Sequence, residues 1–283
     1  MKDVMYFAPT GVDEALNLLA EHGENAVILA GGTDIVPRIN YYESKPDVLL
    51  YIGAIGSDYI REGNGRLIIG AGTTWRRLAV DPLITEKAGV LSEAARQGSC
   101  VAVQNASTIG GNLANASPAA DLATPLLVMD AELVLASAKG NRIVAIKDFF
   151  VGPGQTVLKP EELITEIYIP AFVGKTIFLK LGRRKAMTLS VVNVAVRLDV
   201  EKGKCNDARI ALGSMAPTPI RCIRSEGLLK GNAIDKSLIS QCATEAIAET
   251  SPIDDQRATS WYRKKAGENL VARALAQAVG IEE

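Results

Sequence analysis

The stretch TIGGNLANASPAADLATPLL, residues 108–127, opens on a glycine pair inside a long run of small and polar residues, Gln97 to Asp121. The apolar residues of that run follow neither the period of a strand nor that of a helix, so it predicts a loop. A loop of that length inside a compact domain usually carries function. Paired glycines let backbone approach a ligand closely and turn successive N–H groups towards it, which suits a pyrophosphate. Alone, a glycine pair marks only a tight turn. This chain has a second pair, in Ala30-Gly31-Gly32-Thr33-Asp34-Ile35, directly after the apolar run AVILA, residues 26–30. Two such turns flanked by Thr, Asp and Asn point to nucleotide binding.

Outward from these turns the pattern is alternating. Thr10-Gly11-Val12-Asp13 starts a helix with Ala15, Leu16, Leu18 and Leu19 on one side, ending at Gly23. Residues 26–30 and 48–52 read as buried strands of a small βαβ-like unit. Residues 66–71 read as a strand, followed by Gly72-Thr73-Thr74 and a helix; further strands fall at 132–136, 142–146 and 163–169. After Pro170 three strands of a meander are expected, at 176–181, 191–200 and 208–214. Helices at 237–249 and 269–279 would cover one face of them.

Familiar phosphate-binding frames fail. Gly70-Ala71-Gly72-Thr73-Thr74-Trp75 has two glycines of the dinucleotide fingerprint, but Trp75 stands where the third belongs. Gly174-Lys175-Thr176 ends like a P-loop, yet Ile169 occupies the place of its first glycine. The ligand is therefore held by another fold.

Composition narrows the function. With 283 residues the chain is long enough for two domains, and a net charge of −1 gives no general attraction to nucleic acid or anionic membrane. No apolar run is long enough to span a bilayer, and the start lacks a secretory segment, so the expected location is cytoplasmic. The four cysteines are scattered and His22 is the single histidine, too few and too poorly spaced for a metal or iron–sulfur site. No catalytic residue is assigned, and a redox role needs an outside cofactor.

AGGTDIVP at 30–37, TIGGNLANASPAADLATPLL at 108–127, PEELITEIYIP at 160–170 and FLKLGRRKAMTLSVVNVAV at 178–196 resemble, in this order, the FAD-binding subunits of the molybdenum hydroxylases, the xanthine dehydrogenase and carbon monoxide dehydrogenase family. The resemblance implies an α+β fold: a two-subdomain FAD-binding domain of the vanillyl-alcohol-oxidase (PCMH) type over 1–170, with subdomains of about 1–56 and 57–170. A small α+β domain with a three-stranded antiparallel sheet and helices follows over 171–283. It implies FAD bound non-covalently. Ala30, Gly31, Gly32, Thr33, Asp34, Ile35 and Val36 would wrap the pyrophosphate and ribityl chain. Thr108, Ile109, Gly110, Gly111 and Asn112 would form a second clamp, and Asp121 would accept from a cofactor hydroxyl. The amide of Ile164 and the Lys180 side chain would lie near the flavin ring, where a cation stabilises the reduced form.

The same resemblance implies partners. Molybdopterin would sit on a large subunit and [2Fe–2S] clusters on a small one, with electrons passing through FAD to NAD or another acceptor near Arg183 and Arg184. Where some relatives stack an aromatic residue on the adenine, this chain has Gln97-Gly98-Ser99. Two other functions stay open: a stand-alone FAD-dependent oxidoreductase of related fold, and an assembly subunit without FAD. The first would need a base set that the sequence does not show, and the second is opposed by the TIGGN block.

Overall fold

The structure, a computed structural model, describes residues 4–281. Its first sheet is three-stranded and parallel, in the order Met5–Phe7, Val48–Tyr51, Ala26–Leu29. Helix Val12–His22 crosses between its first two strands in sequence and buries Ala15, Leu16 and Leu19 against Leu50 and Ile55. That cluster also takes in Ala136 and Leu163 of the next sheet, so the two sheets share an apolar seam.

The second sheet has five antiparallel strands in the order Ile60–Gly63, Arg66–Gly70, Leu163–Pro170, Glu132–Ser137, Gly140–Ala145. Leu163–Pro170 comes last in sequence yet lies in the middle, with its register shifted between Ile164 and Glu166. The short helices that follow Arg66–Gly70, from Trp75 to Gln97, pack behind the sheet with Ala123–Val128.

The third sheet is antiparallel in the order Lys175–Gly182, Ser190–Glu201, Lys204–Gly213, Ile220–Arg221. The meander of three expected strands is present, extended by a two-residue fourth. Helices Ile223–Leu229, Lys236–Ala248 and Ser260–Val279 pack on one face. Residues Ser190 to Leu198 are buried without a break, because the other face is covered too. The cross-strand row Phe178, Ala195 and Ala211 joins the core of the preceding domain, while neighbours Val194 and Val196 face the C-terminal helices. A β-branched run with no polar alternation is what burial on both faces demands.

The segment 97–121 differs from the expected loop. It holds two six-residue helices, Val101–Ala106 and Ile109–Ala114. Fewer than two turns leave no 3.6-residue pattern to read, and Gly110-Gly111 disfavours a helix on propensity. Tertiary bonds hold the second helix instead: Ile109 N–H donates to the Thr73 carbonyl (3.0 Å) and Gly110 N–H to that of Ala71 (2.9 Å). No helix among the described residues is long and apolar enough to cross a membrane.

Candidate functional site

A cavity of about 940 Å³ lies where the first two sheets and the 97–121 segment meet. That is within the usual span of small-molecule and cofactor sites, ~300–1,000 Å³. Its wall contains Ala30, Gly31, Gly32, Thr33, Asp34, Ile35 and Val36 from the first glycine turn. The second turn contributes Thr108, Gly110, Gly111 and Asn112, and the five-stranded sheet contributes Ile164. Groups 52 residues apart or more in sequence, expected separately, thus share one wall.

The two glycine turns do different work. From Gly31 to Ile35 no backbone N–H donates to any described residue. Gly32 is left-handed at φ +71° ahead of right-handed Asp34, the kind of backbone reversal that gathers consecutive N–H groups into an anion-binding concavity. The amides of the second turn from Ile109 to Asn112 are committed. Gly111 N–H donates to the Thr108 Oγ1 cap (3.1 Å) and Asn112 N–H to the Thr108 carbonyl (3.0 Å), beside the two bonds to Ala71 and Thr73. The second turn therefore offers its compact Cα surface and its side chains, not a row of free amides. A Thr33–Ser107 hydroxyl bond (3.0 Å) and an Asn115 to Asp34 contact (3.4 Å) tie the turns together. Backbone packing ties them harder, since a Cβ on Gly31 would lie 1.7 Å from the Ala106 carbonyl oxygen.

Other expected residues lie off the wall. Ile109 is fully buried in the hydrophobic core. Asp121 and Lys180 form a buried ion pair, Nζ to Oδ2 2.6 Å, with side chains 6% and 4% exposed. Asp121 also accepts from Ser190 Oγ (2.5 Å) and Asn193 Nδ2 (3.1 Å), and Lys180 Nζ reaches the Gln97 carbonyl (3.4 Å). These bonds join the first two sheets' domain to the C-terminal sheet. Arg183 donates to the Gln256 carbonyl (3.1 Å) and Arg184 to that of Met187 (2.9 Å), both at the surface and outside the cavity.

Sequence reasoning missed Trp75 and Glu162, which also line the cavity. Glu162 is held by a bidentate Arg142 pair, 2.7 Å at each oxygen, and by the Lys159 amide at 2.9 Å. The Arg142 guanidinium keeps its carboxyl below the usual glutamate range. A group with a lowered folded value stabilises fully above its ordinary range, ~4.3, and loses that contribution as pH falls through the folded value. Glu162→Gln should therefore be less stable than wild type at neutral pH, with the gap narrowing in acid. Urea unfolding at pH 7 and at pH 3.5 checks this; a gap independent of pH would show that the carboxylate charge is not what the site uses.

The polar inventory tests whether the cavity suits FAD. Four buried side-chain atoms among the described residues have no hydrogen-bond partner, and two of them, Trp75 Nε1 and Asn112 Oδ1, belong to wall residues. Five free amides on a cavity of this size fit a dinucleotide with a pyrophosphate centre. No group of three or more His, Cys, Asp and Glu suited to a metal occurs among the described residues.

Comparison with known proteins agrees with this geometry. Residues 2–172 match the model of the FAD binding domain in molybdopterin dehydrogenase, and residues 177–278 match the CO dehydrogenase flavoprotein C-terminal domain. The chain is 33% identical over 273 residues to the carbon monoxide dehydrogenase medium chain of Hydrogenophaga pseudoflava, covering 95% of both chains. It is 30% identical to the glyceraldehyde dehydrogenase medium chain of Sulfolobus acidocaldarius, over 95% of this chain and 96% of that one. Among solved structures, a chain of carbon monoxide dehydrogenase from Hydrogenophaga pseudoflava superimposes with a TM-score of 0.95 at 32% identity, covering 98% of this chain and 97% of that one. A chain of quinoline 2-oxidoreductase from Pseudomonas putida 86 gives 0.93 at 28% identity, with 98% and 97% covered.

Proposed function

This chain belongs to the FAD-binding subunits of the molybdenum hydroxylases, and on that premise we propose that it is the electron-transfer flavoprotein of a three-part complex. In that complex a large molybdopterin subunit oxidises the substrate and a small [2Fe–2S] subunit delivers electrons to this chain. The chain passes them to NAD or another acceptor. The division falls at Pro170, with FAD held by 1–170 and the C-terminal domain, 171–283, packed against it.

The observation that carries this reading is the run of unused amides from Gly31 to Ile35 in the cavity wall. These five groups would hold the pyrophosphate without a lysine or arginine, by the same physics that places phosphates at backbone concavities. Ala30 and Val36 flank them. Thr108, Gly110, Gly111 and Asn112 form the facing wall, and the Ile164 amide belongs to the flavin end. Lys180, fixed by Asp121, is the cation we assign to that end. Arg183 and Arg184 mark the acceptor side. Bound FAD supplies a carrier that takes electrons singly and releases them in pairs. The chain's own contribution is to bind it, orient it and shield it from water.

The purified chain should be yellow, with one flavin that acid precipitation releases into the supernatant and with negligible iron and molybdenum. It should pass electrons from an artificial donor to a dye. It should oxidise no purine, aldehyde, N-heterocycle or carbon monoxide until co-expressed with the small and large subunits, with which it should co-elute. A colourless chain that stays so after FAD addition would end the reading. Robust substrate oxidation by the chain with FAD alone would instead establish a self-sufficient flavin enzyme.

A further inference from the structure

We infer that Tyr51 is a cofactor contact, its phenol hydroxyl donating to the pyrophosphate of bound FAD beside the first glycine turn; this rests on the assignment of FAD to the cavity.

Tyr51 ends Val48–Tyr51, the middle strand of the parallel sheet. Burial alternates along that strand. Val48 and Leu50 are sealed, with Leu50 in the cluster under helix Val12–His22, while Leu49 and Tyr51 are half-buried on the opposite face. The crevice beyond the carboxyl ends of parallel strands is where open α/β sheets bind ligands, and Tyr51 stands at that end. It pairs with Leu29, and Ile52 N–H donates to the Leu29 carbonyl at 2.9 Å, so the ladder runs up to the residue that leads into Ala30-Gly31. Neighbouring strands lie ~4.8 Å apart, a gap that a phenol spans. Tyr51 is therefore next to the turn whose amides are free.

The ring is placed by Gly53. A Cβ there would lie 2.1 Å from the Tyr51 hydroxyl oxygen and 2.3 Å from Cζ, so the phenol tip rests on bare backbone. Tyr51, Ile52 and Gly53 all line the cavity. The hydroxyl has no hydrogen-bond partner among the described residues, yet unlike Trp75 Nε1 and Asn112 Oδ1 it is not sealed from solvent. A ligand can reach it. Other hydroxyls of the wall are engaged: Thr33 and Ser107 bond each other, and Thr74 and Thr108 accept from helix amides. Ser57 is unpartnered too, but it packs on Gly72, beyond strand Arg66–Gly70 of the other sheet. Tyr51 is thus the unengaged hydroxyl at the strand end that feeds the first turn. A phenol O–H donating to a phosphate oxygen makes a charge-assisted bond, and it adds a donor to the amide row without adding a cation.

The test uses the full chain with FAD removed and restored. Tyr51→Phe, which keeps the ring, should bind FAD roughly tenfold more weakly, the loss expected for one hydrogen bond to a charged group. ADP, which carries the pyrophosphate without the flavin, should compete for the site and lose the same factor. Tyr41→Phe is the control, 76% exposed and off the cavity, and should bind as wild type. Without FAD, Tyr51→Phe should unfold at the wild-type denaturant concentration, because the hydroxyl makes no bond within the chain. Wild-type FAD affinity in Tyr51→Phe would overturn this inference while leaving the cavity assignment intact. So would a loss for FAD with none for ADP, which would move the contact off the pyrophosphate, or a matching loss of stability without FAD, which would make the hydroxyl structural. Failure of the wild-type chain to bind FAD would overturn both.

Discussion

Gly31→Ala should strip the protein of FAD, lowering its occupancy at least tenfold, while Gly11→Ala leaves occupancy at the wild-type level. A methyl on Gly31 would lie 1.7 Å from the Ala106 carbonyl oxygen and 2.5 Å from its carbon. Backbone cannot rotate out of the way as a flexible side chain can. This backbone is also held on both sides, since Ser107 N–H donates to Val103 and the Ser107 carbonyl accepts from Trp75. The turn from Gly31 to Ile35 must give instead, carrying its five free amides away from the facing wall and breaking the Thr33–Ser107 bond. Overpacking of this kind costs roughly 1–3 kcal/mol, occasionally more, and each ~1.4 kcal/mol taken from the bound form is a tenfold loss of affinity. Gly11 is the matched control, extended at φ −141° with nothing within 4 Å of a Cβ. Flavin absorbance per folded chain, with circular dichroism to verify folding, measures the effect. Equal occupancy in the two variants would dissociate the first glycine turn from the cofactor.

The weight on Gly31 comes from the structure, because sequence treats the glycines of a pair alike. In the second turn Gly110 is the confined one, its Cβ position 2.8 Å from that of Ala71, while Gly111 would meet only the Thr108 hydroxyl at 2.9 Å. What sequence did carry was the set of local signals strong enough to survive any context. The run AVILA into Gly-Gly, the helix beginning at Val12 and the β-branched run 191–200 each encode their own element. Elements that borrow their stability were not legible. Ile109–Ala114 contains two glycines and stands on bonds to Ala71 and Thr73, and edge strands Met5–Phe7 and Ile60–Gly63 are too short for a period. Trp75 was visible only as the residue that spoils a dinucleotide fingerprint. Its place in the wall depends on Gly98, 23 positions away, where a Cβ would lie 1.8 Å from its ring. The same is true of Asp121 and Lys180, which the family pattern assigns separately to the cofactor and which the fold pairs with each other.

That pairing sets the last expectation: Lys180→Met should destabilise the protein by roughly 3–5 kcal/mol, the usual cost of removing one partner from a buried ion pair. Asp121 and Lys180 are nearly inaccessible, and their 2.6 Å contact bridges the approach to helix Ala123–Val128 and the strand Lys175–Gly182 of the C-terminal sheet. Without the ammonium, Asp121 keeps two neutral donors, Ser190 and Asn193, but its charge has lost its counter-ion in a place that water does not reach. The cost is that of the stranded carboxylate more than of the lost bond, so neutralising the carboxylate should relieve it. The double variant Asp121→Asn with Lys180→Met should be more stable than Lys180→Met alone. Denaturant unfolding of the wild type, both single variants and the double variant gives the coupling directly. The same proteins, reconstituted with FAD, separate two roles of the lysine. A cation serving the flavin end should also stabilise the reduced cofactor, so its removal should lower the reduction potential even in the rescued double variant. If the double variant regains stability at an unchanged potential, the pair is a joint between domains and nothing more. If Lys180→Met unfolds at the wild-type denaturant concentration, the buried pair contributes no net stability, and this account of the domain interface fails.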